Sequence, residues 1–457
     1  MSLRVACWKT SFPLKYCVHG CESDPETRNG HTVTQLSIDF DRYQLDNGLR
    51  VVIAPDRTVP IVATNLWYGV GSRNEPEGKT GFAHLFEHMM FQGSENVPKN
   101  KHFELIERVG GTLNATTWFD RTNYFETVPS HELDLCLWLE SDRMGWMLPA
   151  MDQAKLDNQR DVVMNEKRQH YDNQPYGDWS ERLQRLVFPK DHPYHHTVIG
   201  SMEDIEAATL DDVASFFETF YIPNNAVLTV VGDVDIERAL GSIEHYFGDI
   251  PAGPKLPPLP GRTELEHVIG DTVRDLVVAD VPLPRVIMAS RIPPYSSDVF
   301  ATAEVVRAVL GMGRASRLYR HLVREQQIAK SVVTYAYPLL TGASMLLMWG
   351  TGYPGTDPAL LEQAMARELE ALIDTRQDEI SRAISLIETD LVRTLERVAE
   401  RADLLSMFDL YFGDPGRLNQ ELDRLRSVTL DDVRAFVTNQ LGPDNRAVLT
   451  YVPEGSR

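Results

Sequence analysis

The sequence has no long apolar run, few cysteines and fewer basic than acidic residues, and each shortage excludes a class of protein. No run approaches the roughly 18 apolar residues of a membrane-spanning helix, so we expect no membrane insertion. Four cysteines in 457 residues cannot form a disulfide framework and fit a reducing compartment. We therefore predict free thiols at all of them, namely Cys7, Cys17, Cys21 and Cys136.

The net charge indicates which partners the protein can bind, and the N-terminal sequence indicates where in the cell it is located. The 45 lysines and arginines stand against 66 aspartates and glutamates, a net charge of −21. Nucleic acid is disfavoured as a partner because phosphate binding needs concentrated basic residues, whereas cationic peptides would be attracted. Residues 1–23 lack the uninterrupted apolar segment of a secretory signal. We expect a cytoplasmic location, with the periplasm as the alternative.

The chain contains an internal sequence repeat. Thr209-Leu-Asp-Asp-Val recurs 220 residues later at Thr429, and each copy begins an apolar-periodic stretch typical of a helix. A turn and a β-type run follow both copies, starting at Pro223 and Pro443. Five prolines between residues 251 and 260 separate the copies and favour an extended linker. The repeat indicates internal duplication.

The repeat and the linker predict the domain organisation. We expect an N-terminal extension (1–40), a first half (41–250), a Pro-rich linker (251–270) and a homologous second half (271–457). The first half mixes β-type runs, at residues 49–54, 61–68 and 122–128, with long helical patterns. An α+β or α/β fold follows, in which each half is a sheet covered by helices.

His84-Leu-Phe-Glu87-His88 lies in a helical pattern that runs from about residue 80 to residue 93. Residues three and four apart share one helix face, so the two imidazoles and the carboxylate converge. The imidazoles can bind Zn2+, and the carboxylate can take a proton from water. A third protein ligand must come from elsewhere, and spacing alone leaves four candidates open: Glu166, Glu140, Asp161 and Asp142.

Around these residues the sequence resembles the inverzincin zinc peptidases, the group of pitrilysin and mitochondrial processing peptidase, whose signature is His-x-x-Glu-His. The resemblance runs from Gly81 to Phe91, and Glu166 stands where the family carries its distal glutamate. It implies one Zn2+ per chain on His84, His88 and Glu166, with Glu87 as the catalytic residue. The neighbouring His195 and His196 are interpreted as structural or surface residues.

The resemblance spans roughly residues 40–455 and implies a fold and a mode of substrate binding. It implies two homologous αβ-roll halves, each with a mainly antiparallel sheet, that enclose a chamber. In the family an extended peptide pairs with a sheet edge beside the metal. Asn114, Ala115 and Thr116 match that edge strand.

The second half lacks the metal site. At the offset of 220, His84, Glu87 and His88 correspond to Glu304, Arg307 and Ala308, and Glu166 corresponds to Leu386. An arginine and a tyrosine that active members hold opposite the zinc fall at Val323 and Lys330, and a further family glutamate is Gln159 here. We therefore expect a heterodimer in which a homologous subunit carries the Arg/Tyr clamp, with a homodimer as the alternative.

The predicted activity is that of a zinc-dependent endopeptidase that cleaves extended peptides inside a chamber and needs its partner subunit. The alternative is a non-catalytic, zinc-binding assembly or processing subunit, since relatives of this fold also serve as structural parts of respiratory complexes. A zinc hydrolase with a substrate other than peptide is disfavoured, because a strand that pairs with a backbone offers little to a sugar or a lipid.

Overall fold

The computed structural model describes residues 27–28, 31–32 and 36–455. Two short strands, β1 (Thr27–Arg28) and β2 (His31–Thr32), pair with each other near the N-terminus. Cys136 is buried and free, whereas the other three cysteines and most of the predicted extension lie outside the described residues. Within these ranges no helix is long and apolar enough to cross a membrane.

The first sheet has six strands and is antiparallel except at one pair. In spatial order the strands are β3, β4, β8, β5, β7 and β6, and only β4 and β8 run parallel. Strand β6 therefore forms one edge of the sheet. The bounds are β3 (Asp41–Gln44), β4 (Arg50–Pro55), β5 (Ile61–Tyr68), β6 (Thr112–Thr117), β7 (Thr122–Pro129) and β8 (Ala226–Gly232).

The second sheet repeats this order with five strands. They lie in the order β9, β13, β10, β12 and β11, with one parallel pair, β9 and β13. This matches β4, β8, β5, β7 and β6 strand for strand, so the duplication read from one short repeat extends to the whole topology. The bounds are β9 (Asp271–Ala279), β10 (Arg285–Ile292), β11 (Ala329–Tyr337), β12 (Ser344–Gly352) and β13 (Asn445–Pro453).

Helices cover both sheets, so the predicted α+β class of two sheet-and-helix halves is confirmed. The first half holds α1 (Phe82–Met89), α2 (Lys101–Arg108), α3 (Leu133–Trp146), α4 (Gln153–Lys167), α5 (Trp179–Val187), α6 (Met202–Glu206), α7 (Leu210–Phe220) and α8 (Ile236–Phe247). The second holds α9 (Phe300–Gly311), α10 (Pro358–Glu370), α11 (Gln377–Leu395), α12 (Val398–Phe412), α13 (Glu421–Arg426) and α14 (Leu430–Gln440).

The repeated segment Thr-Leu-Asp-Asp-Val begins an identically capped helix in each half. Thr209 and Asp212 make reciprocal side-chain-to-backbone hydrogen bonds at the start of α7, and Thr429 and Asp432 do the same at the start of α14. Each box satisfies backbone N–H groups that a helix N-terminus leaves free, and it places a carboxylate at the positive end of the dipole. This is the helix start that the sequence predicts.

The two halves exchange helices, which the sequence analysis does not predict. Helix α12 of the second half packs on the first sheet, where Leu405 and Phe408 meet Val52 and Val231. Helix α5 of the first half packs on the second sheet, where its apolar side chains join those of β10, β12 and β13. The exchange is reciprocal, so each sheet has its own helices on one face and a helix of the other half on the opposite face.

Two segments connect these elements. Residues 251–270 contain no helix or strand, in keeping with the predicted linker. The end of the predicted extension is held in place: Ile38 N donates to Asn419 Oδ1 at 2.8 Å, and Phe40 packs beside α12. At least this end of residues 1–40 is therefore part of the packed structure.

Candidate metal centre

Helix α1 presents three polar side chains on one face. Phe82, Ala83, Leu85, Phe86 and Met89 are buried in the core of the first half. The remaining face carries His84, Glu87 and His88, and the two imidazole rings lie 4.8 Å apart between centroids. The spacing in the sequence therefore produces the predicted convergence, because the apolar face fixes the rotation of the helix against the core.

Glu166, near the end of α4, completes the group. Its Oε2 atom lies 3.4 Å from His88 Nε2 and 3.8 Å from His84 Nε2. The hydrogen bond with His88 lowers the pKa of Glu166, and burial lowers the pKa of His84 to about 4. At neutral pH His84 is therefore an uncharged imidazole and Glu166 is a carboxylate, which are the forms that bind a metal.

This donor set fits Zn2+. Ligands about 2.0–2.1 Å from a tetrahedral zinc stand roughly 3.3 Å apart, close to the spacing between the three side chains. One ligand atom from each of the three residues lies within 4.8 Å of the others. The three side chains keep between 13% and 30% of their surface exposed, so water can reach the site.

Glu87 points to the end of the edge strand rather than to Glu166. Its Oε2 atom accepts a hydrogen bond of 2.5 Å from Thr117 Oγ1. Burial raises the pKa of Glu87, while the bond from Thr117 and the charge of His88 act in the opposite direction. A half-buried carboxylate with a raised pKa beside a metal site can receive and return a proton near neutral pH. The sequence analysis did not identify Thr117, although its position two residues after Ala115 on one strand places both on the same face.

The start of α1 is fixed by a buried carboxylate. Glu75 accepts hydrogen bonds from the backbone N–H groups of Gly81 at 2.8 Å and Ala83 at 2.7 Å. His196 Nε2 lies 2.9 Å from the same carboxylate, which raises the pKa of that imidazole. Gly81 has a φ of +90°, and a Cβ there would lie 2.6 Å from the carbonyl oxygen of Ile199. His196 is thus structural, as interpreted from the sequence, and it acts at the metal-bearing helix.

The predicted substrate-binding residues lie on β6, the edge strand beside α1. Asn114 is exposed, Ala115 is buried and Thr116 is partly buried. Strand β6 pairs only with β7 among the described strands, so its outer edge has free backbone groups. The Ala115 N–H donates to the side-chain oxygen of Asn114 at 2.9 Å, a bond that a peptide carbonyl can replace.

A cavity of about 640 Å³ joins these parts to the second half. It is lined by His84, Glu87 and Glu166, by the end of β6, and by Arg285 and Tyr337 of the second sheet. The ring of Tyr337 stacks on Trp118 at 5.7 Å with an interplanar angle of 15°. Arg285 and Tyr337 follow α1 by about 200 and about 250 residues of sequence, and no local motif marks them.

The other acidic candidates have different partners. Asp161 is exposed, and Asp142 accepts hydrogen bonds from Ser94 and Asn96. Glu140 is buried with His102 and Glu126, a second group with the residue types of a metal site. Arg143 forms an ion pair with Glu140 and lies 3.8 Å from Glu126, so this group already holds a cation.

The second half carries a different arrangement at the equivalent helix. Glu304 and Arg307 lie on α9 and form an ion pair with each other at 2.9 Å. Leu386 lies on α11, and no group of potential ligands occurs in the second half within the described residues. At the positions of the expected clamp, Val323 is partly buried and Lys330 is exposed.

The comparisons with known families match both halves. A profile described as "Insulinase (Peptidase family M16)" matches residues 50–192. A second profile, described as "Peptidase M16 inactive domain", matches residues 207–387. The first match contains His84, Glu87, His88 and Glu166, and the second contains their counterparts on α9 and α11.

Individual relatives agree with the profiles. The zinc protease PqqE of Helicobacter pylori is 30% identical over 367 residues, which cover 79% of this chain and 78% of the relative. A crystal structure of a protease from Helicobacter pylori has a TM-score of 0.85 at 27% identity, covering 91% of this chain and 100% of its own. The periplasmic protease PqqL of Escherichia coli shares the fold, with a TM-score of 0.71 at 21% identity. The match covers 92% of this chain and 48% of PqqL. The chain belongs to the M16 family of peptidases.

Proposed function

We propose that the protein is a zinc-dependent endopeptidase with its active site on α1, α4 and β6. The observation that carries this proposal is that His84, His88 and Glu166 meet beside Glu87, in a cavity reached by an open sheet edge. His84, His88 and Glu166 would hold one Zn2+. The ion, when bound, would polarise the scissile carbonyl and make water more acidic.

The proposed reaction is hydrolysis of an internal peptide bond. Glu87 takes a proton from the attacking water as the water oxygen bonds to the carbonyl carbon. It then delivers that proton to the leaving nitrogen as the carbon–nitrogen bond breaks. Thr117 holds the Glu87 carboxylate in place through its hydrogen bond, and partial burial keeps the proton affinity of the carboxylate high.

An extended peptide is the substrate class that the edge strand supports. Residues 114–116 lie along the outer edge of β6, and the strand ends at Thr117, the partner of Glu87. A peptide that adds to this edge would gain backbone hydrogen bonds with little dependence on its sequence. Its scissile bond would then lie at the end of the strand, beside Glu87.

Two substitutions test the catalytic assignment. We expect Glu87→Gln to retain one zinc per chain and to lose peptide hydrolysis, because an amide cannot take the proton. We expect His84→Ala to lose both zinc and hydrolysis. Metal analysis and cleavage of quenched fluorescent peptides measure the two properties, and Glu77→Gln, at an exposed residue, is the control. Near-normal turnover of the Glu87→Gln protein would contradict the proposal.

We also propose that the active assembly is a heterodimer with a homologous subunit. The Arg/Tyr clamp expected in the second half is absent at Val323 and Lys330. The chain also corresponds to about half the length of PqqL, which leaves room in that polypeptide for a second unit of similar size. A homodimer is the alternative assembly. The cytoplasmic location stays a prediction, with the periplasm as its alternative.

Purification of the chain with and without a co-expressed homologous subunit tests the partner. We expect the pair to cleave peptides about a hundredfold faster than the chain alone, the size of effect that a lost transition-state contact produces. Zinc content should be equal in both preparations. Full activity of the chain alone would overturn the heterodimer. Bound zinc with no hydrolysis by either preparation would favour the non-catalytic assembly subunit.

A further inference from the structure

Arg285 of the second sheet faces the cavity of the metal centre without an acidic partner. It is the first residue of β10, it is partly buried, and it lines the cavity together with His84 and Glu166. Its Nε atom donates to Thr351 Oγ1 at 3.1 Å. No ion pair of Arg285 with a carboxylate occurs in the part of the chain that the structure describes.

The guanidinium is held in one orientation. It stacks over the ring of Tyr176 at 3.7 Å, while the bond to Thr351 fixes its Nε edge. Stacking and one hydrogen bond leave the remaining N–H groups of the planar fork without a hydrogen-bond partner among the described residues. Such a fork matches a carboxylate in two parallel bonds. Because the side chain is already ordered, little conformational entropy is lost when a ligand binds.

Tyr176, the platform under Arg285, is itself fixed at a conformational cost. Its φ of +64° is rare for a bulky residue. Its hydroxyl donates to the carbonyl oxygen of Leu283 at 2.7 Å and accepts from the N–H of Leu283 at 3.0 Å. These bonds tie the ring to the segment directly before Arg285. Backbone strain of this kind persists where the surroundings impose it, often at ligand sites.

Nearby acidic residues are engaged elsewhere. Asp178 accepts hydrogen bonds from Arg182 and from the Tyr451 hydroxyl, and Arg182 also pairs with Asp275 at 2.9 Å. The acidic residues that line the cavity are Glu87 and Glu166, both of the metal centre, and Arg285 is its one lysine or arginine among the described residues. The cavity wall formed by Tyr176, Arg285 and Tyr337 is therefore aromatic and positively charged, although the chain as a whole has a net negative charge.

We infer that Arg285 binds a carboxylate of the peptide substrate, so that the site selects peptides with an acidic group near the cleaved bond. The inference rests on the proposed peptidase function. Tyr337, stacked on Trp118, forms an aromatic surface of the same cavity for the neighbouring substrate residues. The carboxylate can belong to a glutamate or aspartate side chain or to the C-terminus of the peptide. Both present the same group to the arginine.

Peptide binding to the full-length, zinc-loaded Glu87→Gln protein tests this inference without requiring turnover. The probes are neutral ten-residue peptides in which Glu replaces Gln at one position at a time, each with a free and with an amidated C-terminus. We expect one of these carboxylates to tighten binding about tenfold to a hundredfold, as a charge-assisted hydrogen bond does. Arg285→Gln should reduce that preference below about threefold, and Arg285→Lys should retain part of it.

Controls separate this inference from the proposed function and from misfolding. Arg182→Gln removes an arginine that pairs with Asp178 and Asp275 and should leave the carboxylate preference unchanged. Equal melting temperatures of the Arg285 variants and the parent show that the fold is intact. A side-chain preference that survives C-terminal amidation identifies an internal acidic residue, and a loss on amidation identifies the C-terminus. Peptides that bind without any carboxylate preference, or an unchanged preference in Arg285→Gln, would overturn the inference while leaving the peptidase function in place.

Discussion

At the scale of single residues, burial raises the proton affinity of Glu87 and Thr117 partly offsets that increase. Its hydroxyl donates the one side-chain hydrogen bond that the Glu87 carboxylate accepts within the described structure, and this bond favours the ionised form. Burial acts in the opposite direction and is the larger influence, so the pKa of Glu87 is raised overall. The balance suits a group that must be ionised before the reaction and protonated during it.

Removal of this hydroxyl should shift the pH dependence of hydrolysis. In Thr117→Val the carboxylate loses a donor to its charged form, so the pKa of Glu87 rises further. Because Glu87 must be ionised to accept a proton, the acidic limb of kcat/KM moves to higher pH. On that limb we expect kcat/KM to fall about threefold to tenfold, with a smaller loss at alkaline pH.

A pH–rate profile measures this shift. Thr127→Val on β7 is the matched control, because Thr127 pairs with Thr112 at the end of β6 that lies away from Thr117. A Thr117→Val profile that is lowered equally at every pH would show that Thr117 acts on the position of Glu87 and not on its ionisation.

The convergence of the proposed metal ligands could be predicted from the sequence better than the rest of the candidate site. His84, Glu87 and His88 lie within one turn of a helix, so their convergence follows from helix geometry alone. Glu166 required the resemblance to a family, because spacing left Glu140, Asp161 and Asp142 equally open. Arg285 and Tyr337 could not be found from any local pattern, since only the packing of the second sheet against the first half brings them to the cavity.

At the scale of elements, α1, the helix that carries two of the proposed metal ligands, depends on a cap from outside its own sequence. Gly81, the residue before α1, has no side chain to accept hydrogen bonds from the helix N-terminus. Glu75, in the preceding segment, accepts these hydrogen bonds instead. The carboxylate sits at the positive end of the helix dipole and also holds His196. His84 is the third residue of α1, so the cap is close to the first proposed metal ligand.

Loss of this cap should weaken zinc binding. Glu75→Ala leaves the N–H groups of Gly81 and Ala83 and the His196 imidazole without their buried partner. We expect zinc affinity to fall about tenfold or more, as it does when groups that orient ligands are removed, and unfolding to become easier by about 1–3 kcal/mol.

Competition with a chromogenic chelator gives the zinc affinity, and thermal unfolding of the metal-free protein gives the stability. Glu77→Ala, two residues away with an exposed side chain, is the control for both. A lower melting temperature with unchanged zinc affinity would limit Glu75 to a structural part.

Element boundaries followed from the sequence wherever pattern and capping agreed. The strands predicted at residues 61–68 and 122–128 are β5 and β7. The threonines of the repeated Thr-Leu-Asp-Asp-Val segment are the N-caps of α7 and α14. The sheet on which α12 packs could not be predicted from the sequence. An apolar face predicts that a helix packs on something, but Val398, Ala402 and Leu405 fit the first sheet as well as the second until the chain is folded.

At the scale of the whole molecule, the exchanged helices join the halves into one unit. Asp403 on α12 accepts hydrogen bonds from Asn65, Trp67 and Asn123 of the first sheet. Asp409, fully buried, forms ion pairs with Arg42 and Arg50. These contacts connect a helix of the second half to the sheet whose edge strand, β6, is the proposed substrate-binding strand. Neither sheet can then lose its cover without disturbing the other half.

The halves should therefore unfold together. Leu405 is fully buried where α12 meets the first sheet, although it belongs to the second half by sequence. Leu405→Ala creates a cavity at this contact and should lower the free energy of unfolding by about 2–5 kcal/mol. We expect calorimetry to show one transition that moves as a whole, and amide exchange to accelerate in β5 and β8 as well as in α12. Leu360→Ala, at a leucine that is 43% exposed on α10, should change little. Two separate transitions, of which only one responds to Leu405→Ala, would show that the halves are stable independently and that the exchange of helices does not couple them.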